Sequence, residues 1–408
     1  MDAVSAFLQG DIEENIYMVQ PPNFELNNKQ VCLLKKSLYG LKQASRQWNQ
    51  KLDKTLKEIG LKQSLLDPCI YYKIRNEDIT FVAVYVDDII LLTSRLETKN
   101  YIKNHLSSKF EMKDLGELKY CLGLHIHRDR NNGILCVDQK RYIEDILSKY
   151  GMSNCKTVRT PIDPKTKLSN DDENGDSIVD SHLYQELIGS LLYLSQSTRP
   201  DISYSVNTLS KFNSKPNMQH WMALKRILRY LKLTVNYTLT YKKDDKGIHG
   251  FCDADWCSDE IQRRSCTGYI FIHQGAAITW NSRRQPTVAL STTEAEYMSL
   301  SSCTQEAMWL KQMQEEFWPQ LVSEPITILC DNQSAINLAG TINYRSKTKH
   351  IDIRHHFVRD KVRLKKIVIK YVQTSEMVAD ALTKGTPQLK LNYCSSKMGL
   401  CLREDIGM

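Results

Sequence analysis

The sequence of 408 residues lacks the cysteine patterns that mark metal-stapled or disulfide-rich chains. Its 12 cysteines stand singly, no CxxC pair occurs, and the closest spacing separates Cys252 from Cys257. This scatter argues against a zinc site or a disulfide framework, and it favours a reducing compartment. Internal repeats and low-complexity tracts are also absent.

A long apolar run and a secretory leader are missing as well. The longest apolar run is shorter than the roughly 18 residues at which a membrane span becomes a candidate. The chain starts Met1-Asp2-Ala3-Val4, with an acid where a signal peptide carries basic residues. We therefore expect neither a membrane partner nor secretion.

The composition that is present is that of an ordinary globular protein, with 41% hydrophobic and 25% charged residues. The length allows two or three domains. The formal net charge of +8 is compatible with a polyanionic partner, although charge alone does not establish one.

Residues 81–92 hold the most distinctive pattern of the first half. Two apolar runs, rich in β-branched and aromatic residues, flank Asp87 and Asp88, and each run predicts a strand. The join is short enough only for a tight hairpin turn. Adjacent carboxylates at the tip of a buried hairpin repel each other, and a bound cation would relieve that repulsion. A solvent-exposed turn that tolerates aspartate is the alternative.

Helical and strand patterns alternate along the rest of the first half. After residue 152 the composition shifts: residues 153–182 contain two prolines and the acidic run 171–176, which predicts a linker. Residues 183–240 have helical spacing and a basic face. That basic face is compatible with a polyanionic partner, and a solvated helix surface is the alternative.

The other elements predicted before residue 152 are a strand at 31–34, helices at 43–59, 97–110 and 139–150, and a hairpin formed by 122–126 and 133–137.

In the second half, the order strand, hairpin, helix, strand, helix, strand, helix predicts a mixed sheet with helices on its faces. Four acids fall at the ends of these elements. Asp253 and Asp331 close strands, Glu296 lies in the first turns of a long helix, and Asp380 lies in the last helix. Such positions can converge in space, although each acid taken alone is more simply a surface carboxylate.

Four convergent carboxylates would hold two divalent cations about 3.5–4 Å apart, which is the arrangement that hydrolyses a phosphodiester. Hard oxygen ligands and partial hydration favour Mg²⁺. The joint placement of four acids weakens the surface interpretation that applies to each of them singly.

Five stretches of the second half resemble the ribonuclease H domain of copia-type retrotransposons. They are residues 252–256 (CDADW), 291–297 (STTEAEY), 331–332 (DN), 350–357 (HIDIRHHF) and 379–384 (ADALTK). The resemblance implies cleavage of the RNA strand of an RNA–DNA hybrid with two Mg²⁺ ions, with Mn²⁺ as a substitute.

By motif position, the metal-binding acids of that family fall on Asp253, Glu296, Asp331 and Asp380. Asp255 and Glu294 lie in the same motifs and rank lower. The resemblance also suggests that four basic residues contact the hybrid, where selectivity for RNA would come from the 2′-hydroxyl. They are Lys349, His350, Arg354 and His356.

Four stretches of the first half resemble the reverse transcriptase of the same copia-type family. They are residues 1–10 (MDAVSAFLQG), 37–44 (SLYGLKQA), 85–88 (YVDD) and 114–123 (DLGELKYCLG). The resemblance implies that Asp2 and Asp87 bridge two Mg²⁺ ions, which align the primer 3′-hydroxyl with the nucleotide α-phosphate, and that Asp88 is a weaker ligand. Tyr39, Gly40 and Gln43 would lie along the template and the incoming nucleotide.

The resemblance covers nearly the whole chain and implies a multidomain α+β and α/β fold. The predicted parts are an N-terminally truncated polymerase palm of antiparallel sheet with helices (1–152), a linker with a helical thumb or connection segment (153–245), a ribonuclease H-like mixed sheet with helices on both faces (246–386) and a C-terminal tail (387–408). The implied partners are an RNA template, a DNA primer, deoxynucleotide triphosphates and an RNA–DNA hybrid, with a parent polyprotein or virus-like particle as context. Cytoplasm, virus-like particle and nucleus are the expected locations, and the oligomeric state stays open.

Two departures from the family pattern bear on activity. Ser45 stands where the family commonly has proline, and one residue precedes Asp2, where the family has a long fingers segment. We therefore expect Asp2 to lie at a frayed terminus and polymerisation to be weak. A catalytically dead or co-opted nucleic-acid-binding protein is the alternative function. A stand-alone host ribonuclease H does not account for the motifs of the first half.

Overall fold

The structure is a computed structural model that describes residues 1–26, 30–75, 78–166, 168, 179–257, 262–319, 324–340 and 352–402. The acidic run at 171–176 and the predicted contact residues Lys349 and His350 lie outside these ranges. The chain forms two compact units. The first unit comprises Met1–Leu118 and Gln312–Pro319, and the second comprises Lys119–Lys311 and Gln320–Met408.

The first unit is an antiparallel sheet with two helices. Its six-stranded sheet has the order β4-β5-β6-β7-β1-β8, and a small sheet pairs β2 with β3. The strands are β1 (Asp2–Ala3), β2 (Tyr17–Val19), β3 (Val31–Leu33), β4 (Lys62–Gln63), β5 (Ile70–Arg75), β6 (Asp78–Tyr85), β7 (Asp88–Thr93) and β8 (Met112–Lys113), and the helices are α1 (Ala44–Glu58), α2 (Leu96–Lys109) and the 3₁₀ turn Ala6–Gln9.

The core of this unit follows from spacing in the sequence. Trp48, Leu52 and Leu56 recur every four residues, so they share one face of α1, and all three are buried. They form one cluster with Val82 and Ile89 of the predicted hairpin. The hairpin is confirmed: β6 and β7 pair antiparallel and close at Tyr85 and Asp88.

The second unit holds two five-stranded sheets. Its strands are β9 (Tyr120–Cys121), β10 (Leu124–Asp129), β11 (Ile134–Asp138), β12 (Tyr237–Lys242), β13 (His249–Asp255), β14 (Cys266–His273), β15 (Ala276–Arg284), β16 (Ile326–Cys330), β17 (Ile367–Tyr371) and β18 (Leu400–Leu402). Its helices are α3 (Lys140–Lys149), α4 (Ser181–Ser197), α5 (Ser203–Ser210), α6 (Met218–Leu233), α7 (Thr292–Phe317, which continues into the first unit), α8 (Gln333–Gly340), α9 (Asp352–Arg363), α10 (Asp380–Thr383) and α11 (Gln388–Lys397), with 3₁₀ turns at Pro200–Ile202 and Thr374–Glu376.

The predicted mixed sheet is present, with the order β15-β14-β13-β16-β17. Strands β13, β14 and β15 pair antiparallel, whereas β13–β16 and β16–β17 pair parallel. Successive side chains of a strand point to opposite faces. Phe251 accordingly belongs to one hydrophobic core with Leu382 of α10, and Cys252 belongs to a second core with Tyr297 of α7. Helices therefore cover both faces, as predicted.

The second five-stranded sheet corrects one expectation. It has the order β18-β12-β11-β10-β9 and is antiparallel throughout. Strand β12 begins within residues 183–240, which we predicted to be helical. Its apolar residues fit both the helical and the strand period, and pairing with β11 and β18 selects the strand. The predicted C-terminal tail contains α11 and β18, whose Leu391, Cys394 and Leu400 are buried.

Among the helices that the structure describes, none is long and apolar enough to cross a membrane. The predicted domain boundaries follow the domains of the family that the sequence resembles, whereas the two units are defined by their compactness. The boundaries therefore stay a prediction.

Candidate metal centres

The first centre lies at the tip of the β6–β7 hairpin. Strand β1 pairs antiparallel with β7, and Asp2 stands directly opposite Asp88. The Ala3 N–H donates to the carbonyl of Asp87 at 2.9 Å, and the Ile89 N–H donates to the carbonyl of Met1 at 2.8 Å. The structure therefore brings together the three acids that the sequence assigned to one site.

This pairing corrects the expectation that Asp2 is frayed. Strand β1 is bonded on both sides, because it also pairs with β8 through Asp2 and Lys113. A strand held between two neighbours has little freedom to fray, even when it is two residues long.

The turn that carries Asp87 adopts a rare backbone conformation. Val86 has a φ of +55°, in the left-handed region that β-branched residues seldom enter. The Trp48 indole N–H donates to the Val86 carbonyl at 2.7 Å and so holds the turn. Backbone strain of this kind costs about 1–3 kcal/mol and clusters at functional sites.

Electrostatics at the hairpin tip favour a cation. Partial burial raises the pKa of Asp88 above its ordinary value, and the neighbouring charges of Asp87 and Asp2 raise it further. A bound cation would reverse that rise, because it stabilises the ionised form.

The predicted template and nucleotide residues lie on an exposed loop before α1. The Tyr39 ring is 60% exposed and contacts Phe7, with 5.1 Å between ring centroids. Gly40 has a φ of +93°, which glycine adopts without strain, and Gln43 precedes the first residue of α1. Their contact with a nucleotide stays a prediction.

The second centre is built on the parallel pair β13 and β16. Cys252 stands opposite Cys330 in that pair, so Asp253 and Asp331 follow at equivalent positions of neighbouring strands. Strand β13 continues two residues beyond Asp253, which therefore does not close the strand as predicted, because β14 remains paired through Asp255 and Cys266. Asp331 follows the last residue of β16, as predicted.

Glu296 reaches this centre from the fifth residue of α7. It is 7% exposed, and its Oε2 is buried without a hydrogen-bond partner. Its carboxylate lies within 4.8 Å of the donor atoms of Asp331 and Cys330. Burial raises the pKa of Glu296, and the charge of Asp253 raises it further.

Asp253 and Asp380 form the other side of the centre and are both buried. Thr383 donates a hydrogen bond to Asp253 Oδ2, and Asp380 opens the short helix α10 that also holds Thr383. Burial raises the pKa of Asp253, and Asp380 adds to that rise, whereas Lys384 opposes it. The four predicted acids thus converge on the end of one sheet.

Two lysines that the sequence analysis did not single out neutralise this cluster. Lys384 Nζ lies 2.5 Å from Asp380 Oδ1 and 3.7 Å from Asp253 Oδ2, and Lys390 Nζ lies 3.0 Å from Asp380 Oδ2. Burial lowers the pKa of Lys384, but Asp253 and Asp380 raise it more, so the net pKa is above its ordinary value. The spacing of Lys384 four residues after Asp380 is the signal that could have found it.

Close packing fixes the position of α10. A Cβ atom added to Gly268 of β14 would lie 2.6 Å from Thr383 Cγ2 and 2.9 Å from Leu382 Cβ. Only glycine permits this approach, which brings the start of α10, with Asp380, against the strands that carry Asp253.

The lower-ranked acids lie at the ends of the same elements. The Glu294 N–H donates to Ser291 Oγ at 3.2 Å, so Ser291 caps the start of α7, and the Glu294 carboxylate accepts the Leu290 N–H at 2.8 Å. Asp255 lies at the end of β13, where burial raises its pKa.

Arginines line a cavity of about 180 Å³ beside β14 and α7. Its lining includes Thr267, Arg283, Arg284, Gln285, Met298 and Arg354. Of the predicted hybrid contacts that the structure describes, Arg354 thus lies in a basic cavity and His356 lies exposed on α9. A guanidinium cluster is suited to phosphate oxygens.

Comparison with known proteins places these motifs in a family. The model of the reverse transcriptase (RNA-dependent DNA polymerase) family matches residues 1–164. A retrovirus-related Pol polyprotein from transposon TNT 1-94 of Nicotiana tabacum is 40% identical over 409 residues, which covers 98% of this chain and 30% of that polyprotein. The putative transposon Ty5-1 protein of Saccharomyces cerevisiae is 33% identical over 310 residues, which covers 75% of this chain and 100% of that protein.

Among solved structures, a foamy viral protease-reverse transcriptase in complex with double-stranded DNA is similar, with 12% identity and a TM-score of 0.48. The match covers 84% of this chain and 51% of that chain. The present chain spans less than a third of the length of the curated plant polyproteins it matches, at 30% and 27%. The match to the Ty5-1 protein covers the whole length of that protein. Together with the match to the reverse transcriptase family, it establishes that the chain belongs to the Ty1/copia-type family of retrotransposon Pol polyproteins.

Proposed function

We propose that this chain hydrolyses the RNA strand of RNA–DNA hybrids at the centre formed by Asp253, Glu296, Asp331 and Asp380. We further propose that Asp2, Asp87 and Asp88 serve RNA-directed DNA synthesis. The observation that carries the nuclease proposal is Glu296 Oε2, which is buried without a hydrogen-bond partner beside Asp331 and the charge of Asp253.

The residues of the nuclease centre fit divalent metal. A buried carboxylate oxygen without a partner is costly unless a cation or proton satisfies it. The donor set is carboxylate oxygen, which suits Mg²⁺ or Mn²⁺. The nearby thiol of Cys330 is a poor competitor, because a hydrogen bond with Cys252 and burial raise its pKa and keep it protonated.

The four acids would hold two Mg²⁺ ions, which when bound supply an activated water and neutralise charge on the leaving oxygen. The remaining work falls to the chain itself. Thr383 orients Asp253 through its hydrogen bond, and Lys390 and Lys384 hold Asp380. Arg283, Arg284 and Arg354 offer donors to the phosphates of the hybrid.

The palm acids fit the same chemistry for polymerisation. Asp2 and Asp87 would be the principal ligands of two Mg²⁺ ions, and Asp88 would be the weaker one. The strained turn at Val86 and the bond from Trp48 hold the hairpin tip in one geometry. A preorganised tip supports phosphoryl transfer, which depends on positioning and charge neutralisation.

The nuclease proposal is tested by incubating purified protein with Mg²⁺ and a labelled RNA–DNA hybrid. We expect cleavage of the RNA strand by the wild type and a loss of at least about 10²-fold in Asp331→Asn. The matched control is Asp360→Asn, which removes an exposed acid of α9 that pairs with Arg363. Binding of the hybrid without cleavage above the Asp331→Asn level would overturn the proposal in favour of a co-opted binding protein.

A further inference from the structure

A cluster of two histidines and one aspartate lies on the β10–β11 hairpin of the second unit and shares no residue with the two sets of acids described above. His125 and His127 are two residues apart on β10, so their side chains share one face of the sheet. Asp138 ends β11 and stands directly opposite His125, which places its carboxylate on that same face. The topology therefore gathers three metal-ligating side chains from a stretch of 14 residues.

The donor atoms of this cluster are already close to one another. One donor atom from each residue lies within 4.8 Å of the other two. His127 Nε2 lies 3.0 Å from Asp138 Oδ2. In a tetrahedral zinc site with bonds of about 2.0–2.2 Å, ligand atoms lie about 3.3–3.6 Å apart. Small side-chain rotations would therefore suffice to bring all three onto one ion.

The surroundings of the cluster orient its ligands. The Lys140 N–H donates to Asp138 Oδ1 at 3.0 Å, which leaves Oδ2 directed at the histidine. Asp138 is only 5% exposed. The Tyr120 ring of β9 meets the His125 ring edge-on, with 5.1 Å between centroids. Such outer contacts fix ligand orientation in metal sites.

We propose that His125, His127 and Asp138 bind one Zn²⁺ ion, with water completing the coordination. Two imidazoles and a carboxylate are a donor set that zinc takes and that Mg²⁺ does not prefer. The site uses no cysteine, which is why the scattered cysteines of the sequence gave no sign of it. A bound ion would join β10 to the end of β11 and stabilise this hairpin.

The test uses the full chain without a polyhistidine tag, in reducing buffer with excess Mg²⁺ to occupy the carboxylate centres. Co²⁺ serves as a coloured probe for zinc. We expect one equivalent of Co²⁺ to give the visible absorption of a four-coordinate ion, without the near-ultraviolet band of thiolate ligation, and Zn²⁺ to abolish it. His125→Ala and His127→Ala should each weaken Co²⁺ binding by at least roughly tenfold.

His249→Ala is the matched control, because His249 is a histidine of the same unit on β13 whose Nδ1 lies 3.1 Å from the Gly247 carbonyl oxygen. We expect it to bind Co²⁺ as the wild type does. Asp138→Asn is a third variant. The circular dichroism spectrum of each variant is compared with that of the wild type before Co²⁺ is added. If Asp138→Asn does not fold, the two alanine variants provide the test. No Co²⁺ spectrum in the wild type, or a spectrum that persists in both alanine variants, would overturn the proposal.

Discussion

Glu296 is the residue on which the proposed metal centre can be tested most directly. Its Oε2 is buried without a partner, and burial together with Asp253 raises its pKa. A carboxyl group whose pKa is higher in the folded than in the unfolded state binds protons more tightly when folded. The free energy of unfolding then falls as pH rises from the ordinary carboxyl pKa of about 4 through the raised value.

We expect the metal-free wild type to lose thermal stability between about pH 5 and pH 8 relative to Glu296→Gln, which has no carboxyl group to ionise at this position. Mg²⁺ should raise the Tm of the wild type more at the higher pH, because it binds the ionised cluster. Differential scanning calorimetry with and without chelator measures both effects. Parallel pH profiles for the wild type and Glu296→Gln without metal would contradict this account.

At the scale of secondary-structure elements, the contact between α10 and β14 brings Asp380 to the proposed nuclease centre. Gly268 permits that contact, since an added Cβ would meet Thr383 and Leu382 at 2.9 Å or less. We expect Gly268→Ala to lower the free energy of unfolding by about 1–3 kcal/mol, the usual range for overpacking. Urea unfolding monitored by circular dichroism measures the loss.

Gly189 of α4 is the matched control for this substitution. It is exposed within a helix, and an added Cβ would have no atom within 4 Å. Gly189→Ala should therefore stabilise the chain by about 0.5–1 kcal/mol, because alanine loses less backbone entropy in a helix. Equal effects of the two substitutions would show that the α10–β14 approach is not tight.

At the scale of the whole molecule, the chain carries two sets of acids in two compact units. We expect Asp87→Asn to abolish primer extension on an RNA template and to leave cleavage of an RNA–DNA hybrid within about twofold of the wild type. Asp331→Asn should have the opposite pattern. Both activities are measured on the same preparations, and loss of both activities in either variant would show that the two centres do not act separately.

Much of this organisation could be predicted from local patterns. The hairpin at Asp87 and Asp88 was predictable because two apolar runs with a two-residue join have only one short connection available. The strands that carry Asp253 and Asp331 were also predictable, although β13 continues two residues beyond Asp253. The helix faces of α1 and the cap of α7 are likewise local, since spacing and side-chain hydrogen bonds determine them within a few residues.

Other features depended on partners distant in sequence. Strand β12 was mistaken for helix because its pairing partners, β11 and β18, lie about 100 and 160 residues away. Asp2 was expected to fray, but β7 and β8 hold its strand from both sides. The histidine cluster was also missed, although the alternation His125-x-His127 within the predicted hairpin and the acid Asp138 directly after it were visible in the sequence.

The sequence by itself determined the family and the identity of the candidate acids, because long motifs in a fixed order carry that information residue by residue. Only the tertiary structure decided which charges surround those acids and how closely they approach. Lys384 reaches Asp253, Gly268 admits α10, and Glu296 Oε2 is left without a hydrogen-bond partner. These features arise from packing between segments that are far apart in the chain. Burial strengthens the interactions between their charges and shifts their pKa values, and a side chain becomes buried only when the chain folds.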